Sequence, residues 1–432
     1  MNRELDTCQK DDDIHLGSYE KFDFFQYRNF DEVARYWKML RTDETCSPFQ
    51  QFSWINATVS GERQYAKYNE QKQSPYLFVV GFVDQKPVVI LPFAVSNGLL
   101  GDRLTWIGGN KSDYNGIQVD QDNCAGVSGA AFNKILGMIY KSNTNIHAAI
   151  LTRNLSEAQY ILLPEEPHSR KLAAEYGAYA LTLHKDWGEL FSSIRSSKSR
   201  QRLRSKSRKL KNEGRVVFGR VRDAVKRHTV ATQILDWKNE QLENSGRPSP
   251  FGTSADPSQL RLTIENAISK NDSSLQVIGL FLDGKLIAGM LAFVTNDTFY
   301  YYVSSYSTSV ARNLSVGTIL IIKTLEFASR CGLKRYDFLI GDEPYKFDWC
   351  DTEIPLVHYT RAFDRQGWVI CSLFQLSLAV KKFLLRYPNL VASVRNFLKR
   401  IPSFNVKSTD VQGGYPEIPK HVGYWNKTKK RA

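Results

Sequence analysis

Between Asp337 and Trp349 the chain gathers groups that can move protons or hold anions: Asp337, Asp342, Glu343, Tyr345 and Lys346, with Gly341 among them. The preceding run Lys334-Arg-Tyr-Asp-Phe-Leu-Ile340 reads as a strand, so these groups collect where a strand ends. Open α/β sheets commonly bind ligands at that edge. A carboxylate there can deprotonate an amine or hydroxyl if burial raises its pKa, and Asp337, Asp342 and Glu343 are each candidates. Tyr345 could protonate a leaving thiolate, and Lys346 could hold a phosphate or carboxylate. The plain alternative is a structural corner closed by a salt bridge.

A second candidate lies just upstream. The helix-period run Val316 to Arg330, closed by Gly332, follows a polar loop from Ser304 to Ser315. Unsatisfied amides and the positive dipole end make such a helix start a phosphate site, with Arg312, Ser315, Gly317 and Thr318 as its binding residues. The alternative is an ordinary helix entry capped by Ser315. A third candidate is Asp113 with Tyr114, near Gly108, Gly109 and Gly116, where substrate could meet a bend of the chain; a simple Asx-turn fits equally. On the helix expected from Val225 to Glu243, Trp237 suits the core, whereas Lys238 could face a cleft. His147, His184 and His358 show no ligand spacing, so no metal is expected. No Ser-His-Asp pattern or GxSxG occurs, which argues for direct attack without a covalent enzyme intermediate.

These residues need a scaffold, and the apolar patterning supplies one. Leu275 to Val294 alternates two apolar runs around Asp283-Gly284, a strong hairpin signal. The aromatic strand Thr298-Phe-Tyr-Tyr-Tyr-Val303 follows, then the helix and the strand that ends at Asp337. Tyr76 to Val95 repeats the same hairpin around Asp84, about 200 residues earlier, which points to two related halves. The competing explanation is that any two buried hairpins look alike. Further strands are expected at Phe22–Tyr27, Ala148–Thr152, Ala178–Leu183 and Val216–Val221. Helices are expected at Asn29–Leu40, Phe52–Tyr65, Asn133–Tyr140 and Ser196–Leu210, with Ser245–Pro257 as a loop or lid.

Asp337, Phe338, Gly341, Asp342, Tyr345, Lys346 and Trp349 match the Asp-Phe-x-x-Gly-Asp-x-x-Tyr-Lys-x-x-Trp signature of one family. Ser47-Pro-Phe-Gln50 with Trp54 resembles its N-terminal half. On these motifs the chain, from about residue 20 to 365, resembles the CelD or BioF2-like acyltransferases of the GNAT superfamily. The resemblance implies an α/β fold of two tandem GNAT-like mixed-sheet halves with a basic helical C-terminal extension. It implies acyl transfer from acyl-CoA (acetyl-CoA among the possibilities) or another thioester to an amine or hydroxyl. A small-molecule or glycan-precursor acceptor, in envelope or exopolysaccharide biosynthesis, goes with it. The GNAT phosphate loop Arg/Gln-x-x-Gly-x-Gly/Ala is met by Arg312-Asn-Leu-Ser315-Val-Gly317, with serine replacing the middle glycine. FemABX-like peptidyltransferases also pair two such halves, and under that reading tRNA is a partner. A non-catalytic scaffold on a membrane surface is a further alternative.

Length and charge set the outer bounds. The 432 residues exceed one ordinary core, and two domains of about 150 to 200 residues are the natural division. The expected boundaries are a loose N-terminus 1–20, halves 21–185 and 186–365, and an extension 366–432. Six scattered cysteines without CxxC exclude a disulfide framework and suit a reducing compartment. The net charge of +14 is concentrated: 195–227 carries +12 and 366–432 carries +10, leaving −8 elsewhere. The extension, read as two basic amphipathic helices at Leu373–Leu385 and Val391–Leu398, suits an anionic membrane surface. The expectation is a cytoplasmic protein, peripheral on the inner face, with no signal peptide and no apolar run long enough to span a bilayer.

Overall fold

In the computed structural model the described residues are 14–40, 47–71, 75–120, 122, 127–155, 166–269, 274–295 and 297–387, less the side chains of 311–313. They form two mixed sheets flanked by helices, an α/β architecture. The first sheet runs Ile14–Tyr19, Phe22–Tyr27, Tyr76–Val83, Lys86–Ser96, Asp102–Trp106, Ile146–Leu155, Leu356–Ala362 and Ser169–Ala173 in spatial order. The second runs Val216–Arg220, Leu275–Leu282, Lys285–Val294, Thr298–Tyr306, Arg335–Ile340, Ala178–Thr182 and Thr352–Ile354.

The repeat seen in the sequence is structural. Both hairpins turn on consecutive residues with positive φ, Asp84 and Gln85 at 48° and 62°, Asp283 and Gly284 at 48° and 80°. That geometry matches the right-handed twist of paired strands. Each hairpin also carries a register shift at the same offset from its turn, between Gly81 and Phe82 and between Leu280 and Phe281. In each half one helix then links two parallel strands: Gly129–Ser142 joins Asp102–Trp106 to Ile146–Leu155, and Val316–Arg330 joins Thr298–Tyr306 to Arg335–Ile340. The halves exchange strands. Ala178–Thr182 leaves the first half to pair with Arg335–Ile340, while Leu356–Ala362 returns to pair with Ile146–Leu155. Neither sheet is complete without a strand from the far end of the chain.

A shared core lies between the halves. Phe49, Trp54 and Tyr114 of the first half pack with Phe293, Tyr300 and Leu339 of the second. Phe49 sits 5.1 Å from Phe293 and 5.4 Å from Tyr302 between ring centroids, in edge-on geometry. Ser47 and Gln50 close a capping box that fixes Phe49 in place. Helices Phe52–Tyr68 and Gln259–Ser269 cross here so closely that a Cβ on Gly61 would lie 2.7 Å from the Thr263 nitrogen.

Several elements differ from the expectation. Ile14–Tyr19 is an edge strand paired with Phe22–Tyr27, within a segment expected to be loose; residues 1–13 lie outside the described residues. The expected loop from Ser304 to Ser315 is strand to Tyr306 and then a helix, Thr308–Leu314. The first C-terminal helix begins earlier, spanning Arg365–Arg386, and the Val391–Leu398 helix lies outside the described residues. An 18-residue stretch of that first helix has mean hydropathy 1.6, so by length and composition alone it is apolar enough to cross a membrane, against the expectation of no such segment. Ser372, Gln375 and Ser377 interrupt its apolar residues, and the charged pair Lys381-Lys382 lies near its end.

Candidate functional site

The strands Thr298–Tyr306 and Arg335–Ile340 pair only at Thr298–Arg335, Phe299–Tyr336 and Tyr300–Asp337. Past Asp337 they part, and the sheet opens. The second strand distorts at that point, with Leu339 at φ +60° and Gly341 at φ +124°. Positive φ is costly for a leucine, so the surroundings must hold it. Leu339 donates its N–H to Asp337 Oδ1 at 2.8 Å, and its carbonyl accepts from Lys346 Nζ at 3.2 Å. Lys346 also donates to the Ile340 carbonyl at 2.9 Å and pairs with Glu343 at 2.9 Å. Two backbone carbonyls and one carboxylate thus hold the ammonium, so Lys346 staples the strand end.

Asp337 is fully buried. Burial raises its pKa, against Arg335, the Leu339 amide and the Tyr114 hydroxyl, which favour the charged form. Tyr114 OH donates to both of its oxygens, at 2.9 and 3.0 Å. This bond ties the first half's loop to the second half's strand. The neighbouring Asp113 is only partly buried, and burial still lifts its carboxyl to about 6 against Arg153, Lys346 and the Ile340 amide.

The loop that delivers these two residues is fixed on several sides. Trp54 Nε1 donates to Ser112 Oγ at 2.9 Å, and Tyr302 OH donates to the Lys111 carbonyl at 3.0 Å. Arg153, at φ +57°, donates to the carbonyls of Asn110 and Ser112 at 2.9 and 3.0 Å and lies 3.9 Å from Asp113. Arg153 was invisible in the sequence because it follows an apolar run with no motif around it. Trp54 was legible only through its resemblance, and nothing marked Ser112 as its partner.

Lys238 shares this environment. Burial lowers its pKa, Glu343 opposes that, and Arg247 and Lys346 add to it. Burial alone would raise Glu343, yet the Lys346 ammonium holds it below the usual carboxylate range. Asp342 accepts from Tyr179 OH at 3.1 Å, and burial raises its pKa. Tyr345 lies elsewhere: it packs on the face of the strand opposite Asp337, beside Tyr301 and Phe338 at 6.3 and 6.5 Å between ring centroids. Burial raises its pKa well above that of a free phenol. The structure thus joins Asp113, Tyr114, Asp337 and Lys346 on one face, with Tyr345 on the other; Glu343 pairs with Lys346 and acts on both Lys238 and Tyr345.

The helix start at Ser315 borders the end of the strand Thr298–Tyr306. Ser315 adopts the left-handed conformation and its side chain does not cap the helix. Its hydroxyl instead accepts from Lys206 Nζ, on the basic helix Ser197–Asn212. The first intrahelical bond runs from Ile319 N–H to the Ser315 carbonyl at 3.1 Å, so the amides of Val316, Gly317 and Thr318 precede it. Tyr306 covers Gly317 so closely that a Cβ there would meet its ring at 2.9 Å. The side chain of Arg312 lies outside the described residues. Lys206 was hidden in a run of like charges that gave no reason to single it out.

The corresponding places in the first half are filled by its own chain. Ser128 caps the helix Gly129–Ser142 by accepting from Ala131 N–H at 3.2 Å. Where Asp102–Trp106 and Ile146–Leu155 part, Asn115 bridges to Asn154, and its Nδ2 donates to the carbonyls of Gly109 and Thr152. Asn154 in turn accepts from Trp106 Nε1 at 2.9 Å. Of the two, the second half keeps a helix start that no described side chain caps, beside an open strand pair. Among the described residues no cluster of His, Cys, Asp and Glu could hold a metal ion.

Residues 197–347 match the model of the acetyltransferase (GNAT) domain, which puts an acyltransferase-type domain in the second half. No curated protein matches the sequence. Among solved structures, FemX is similar at 11% identity over 81% of this chain and 99% of its own, with a TM-score of 0.49. L-PGS from Bacillus licheniformis has 11% identity over 83% and 96%, with a TM-score of 0.49. A tandem GNAT protein from the clavulanic acid biosynthesis pathway has 10% identity over 79% and 98%, with a TM-score of 0.39.

Proposed function

We propose that this protein transfers an acyl group from an acyl thioester, in the first instance acyl-CoA, to an amine or hydroxyl. The observation that carries the reading is the asymmetry between the halves. The second keeps a helix start that no described side chain caps, with Lys206 beside it, and an opening strand pair, whereas the first plugs both with Ser128 and Asn115. Donor phosphates would meet the amides of Val316, Gly317 and Thr318 together with Ser315 and Lys206. The thioester would enter the gap past Asp337, reached from both faces of the sheet.

Asp113 suits the role of base. It is partly exposed and its pKa of about 6 is near the working range, whereas Asp337 has both oxygens taken by Tyr114 and no exposure. The acceptor nitrogen or oxygen forms its bond to the thioester carbon as Asp113 takes its proton. The carbon–sulfur bond breaks, and the departing thiolate takes a proton, for which Tyr345 is the candidate donor of the family signature. Tyr114, Asp337 and Lys346 position Asp113 and the strand end, and Lys238 with Glu343 lines the acceptor side. The family signature at 337–349 favours a CelD or BioF2-like enzyme with a glycan-precursor or small-molecule acceptor from envelope biosynthesis.

Thermal unfolding of the full chain with acetyl-CoA, longer acyl-CoAs and free CoA tests the donor. A ligand at 100 times its dissociation constant stabilises by about 2.7 kcal/mol. No shift with any of them sinks the acyl-CoA reading. A second reading, an aminoacyl-tRNA donor, rests on the basic helix Ser197–Asn212, where Lys198, Arg202, Arg204, Arg208, Lys209 and Lys211 are exposed and make no ion pair among the described residues. RNase sensitivity of the activity separates the two donors.

A further inference from the structure

The helix Arg365–Arg386 is apolar on two opposite faces. Gly367, Ile370, Cys371, Phe374 and Leu378 form an inner stripe against the strands Ile146–Leu155 and Leu356–Ala362. The outer stripe, at Val369, Leu373, Leu376, Val380 and Phe383, is exposed, and Trp368 beside it is 65% exposed. Ordinary surface helices place polar residues there. Next to the helix stands the loop tip Leu99–Leu100, whose leucines are also exposed, Leu99 completely. The tip is tied to the helix: Gln366 Nε2 donates to the Leu100 carbonyl at 2.6 Å.

Two segments more than 260 residues apart in sequence therefore build one apolar face. Between them runs a groove of about 600 Å³, lined by Leu99, Leu100, Ile150, Ile370, Leu373 and Phe374. Arg103 also lines it and makes no ion pair among the described residues. Contiguous exposed apolar surface of this kind marks a site of association.

We propose that this face docks the protein on an anionic phospholipid bilayer, with the helix lying flat, Leu99 and Leu100 inserted beside it, and Arg103 receiving a lipid phosphate. Lying flat follows from the inner stripe and from Lys381, which pairs with Glu175 at 2.6 Å, and Lys382, which donates to the Ala173 carbonyl at 2.7 Å. A helix so attached to the sheet is an interfacial one, apolar face down. Charge selects the occupant. The chain beyond Tyr387 carries nine Lys or Arg against Asp410 and Glu417, which attracts anionic lipid and repels a second copy of the same chain.

The test is cosedimentation of the full chain with vesicles of phosphatidylcholine alone, and with about a third phosphatidylglycerol, a composition rich in anionic lipid. The protein should pellet with the anionic vesicles and remain in solution with the neutral ones. Leu99→Asp and Leu376→Asp, both at exposed positions, should each weaken partitioning roughly tenfold with an unchanged melting temperature. Failure to pellet overturns the proposal. So does undiminished, salt-sensitive binding of both variants, which would assign the attraction to the basic tail alone. A dimer in light scattering that Leu376→Asp dissociates would give the face to a second copy and equally overturn it.

Discussion

Replacing Asp113 by asparagine separates the cost of a buried base from its use. Burial lifts this carboxyl from 3.8 to about 6, a value already net of the attraction of Arg153 and Lys346. Because the folded-state pKa is raised, folding favours the protonated form. Stability is complete below about 3.8 and declines as pH rises to about 6, after which the loss is constant. A shift of about 2 units corresponds to about 3 kcal/mol. The substituted amide cannot ionise and still offers an oxygen to Arg153. At pH 8 the variant should therefore be more stable by up to about 3 kcal/mol, a rise of a few degrees in melting temperature. At pH 3 the difference should vanish. Activity moves the other way. A base with pKa about 6 gives a rate that climbs through that pH, and its removal should lower kcat/KM by about 10²–10⁴ and erase that limb. Melts at both pH values and a pH–rate profile decide it. A variant that is less stable at pH 8, or that keeps the limb near 6, refutes the reasoning.

Tyr114→Phe leaves buried Asp337 without its cross-half donor and should cost about 1–3 kcal/mol in urea unfolding, as loss of a buried hydrogen-bond partner does. Lys346→Met frees the carbonyls of Leu339 and Ile340 and leaves Glu343 unpaired; a loss of about 3–5 kcal/mol is expected, with activity absent even where the fold survives at low temperature. Asn115→Ala opens the plug in the first half, so calorimetry should show lower stability and no second molecule of CoA bound, because Ser128 still caps that helix.

Much of the scaffold was legible in the sequence. Asp84 and Asp283 mark turns whose positive φ only a few residue types adopt readily, and the apolar runs beside them fix the strands. Asp337, Glu343 and Lys346 were legible as a group because they follow a strand end. Tyr345 was legible too, but it sits on the short helix Pro344–Phe347 after the strand, and spacing does not say on which face of the sheet its side chain falls. Leu339 at φ +60° further shifts the register between Asp337 and Ile340. The strand exchange was not legible, since Ala178–Thr182 and Leu356–Ala362 carry ordinary apolar patterns that name no partner. Arg153 and Lys206 gain their meaning from segments 41 and 109 residues away in sequence, through Ser112 and Ser315. Such pairings are set by tertiary packing and leave no local trace.

The central claim is that one thioester donor binds per chain, at the start of helix Val316–Arg330. Isothermal titration of the full protein with acetyl-CoA tests it most directly. The account predicts a single site whose affinity falls roughly tenfold or more in Lys206→Met, the loss of one charge-assisted hydrogen bond, and is unchanged in Ser128→Ala. Two sites, or an affinity that responds to Ser128 and not to Lys206, would contradict it.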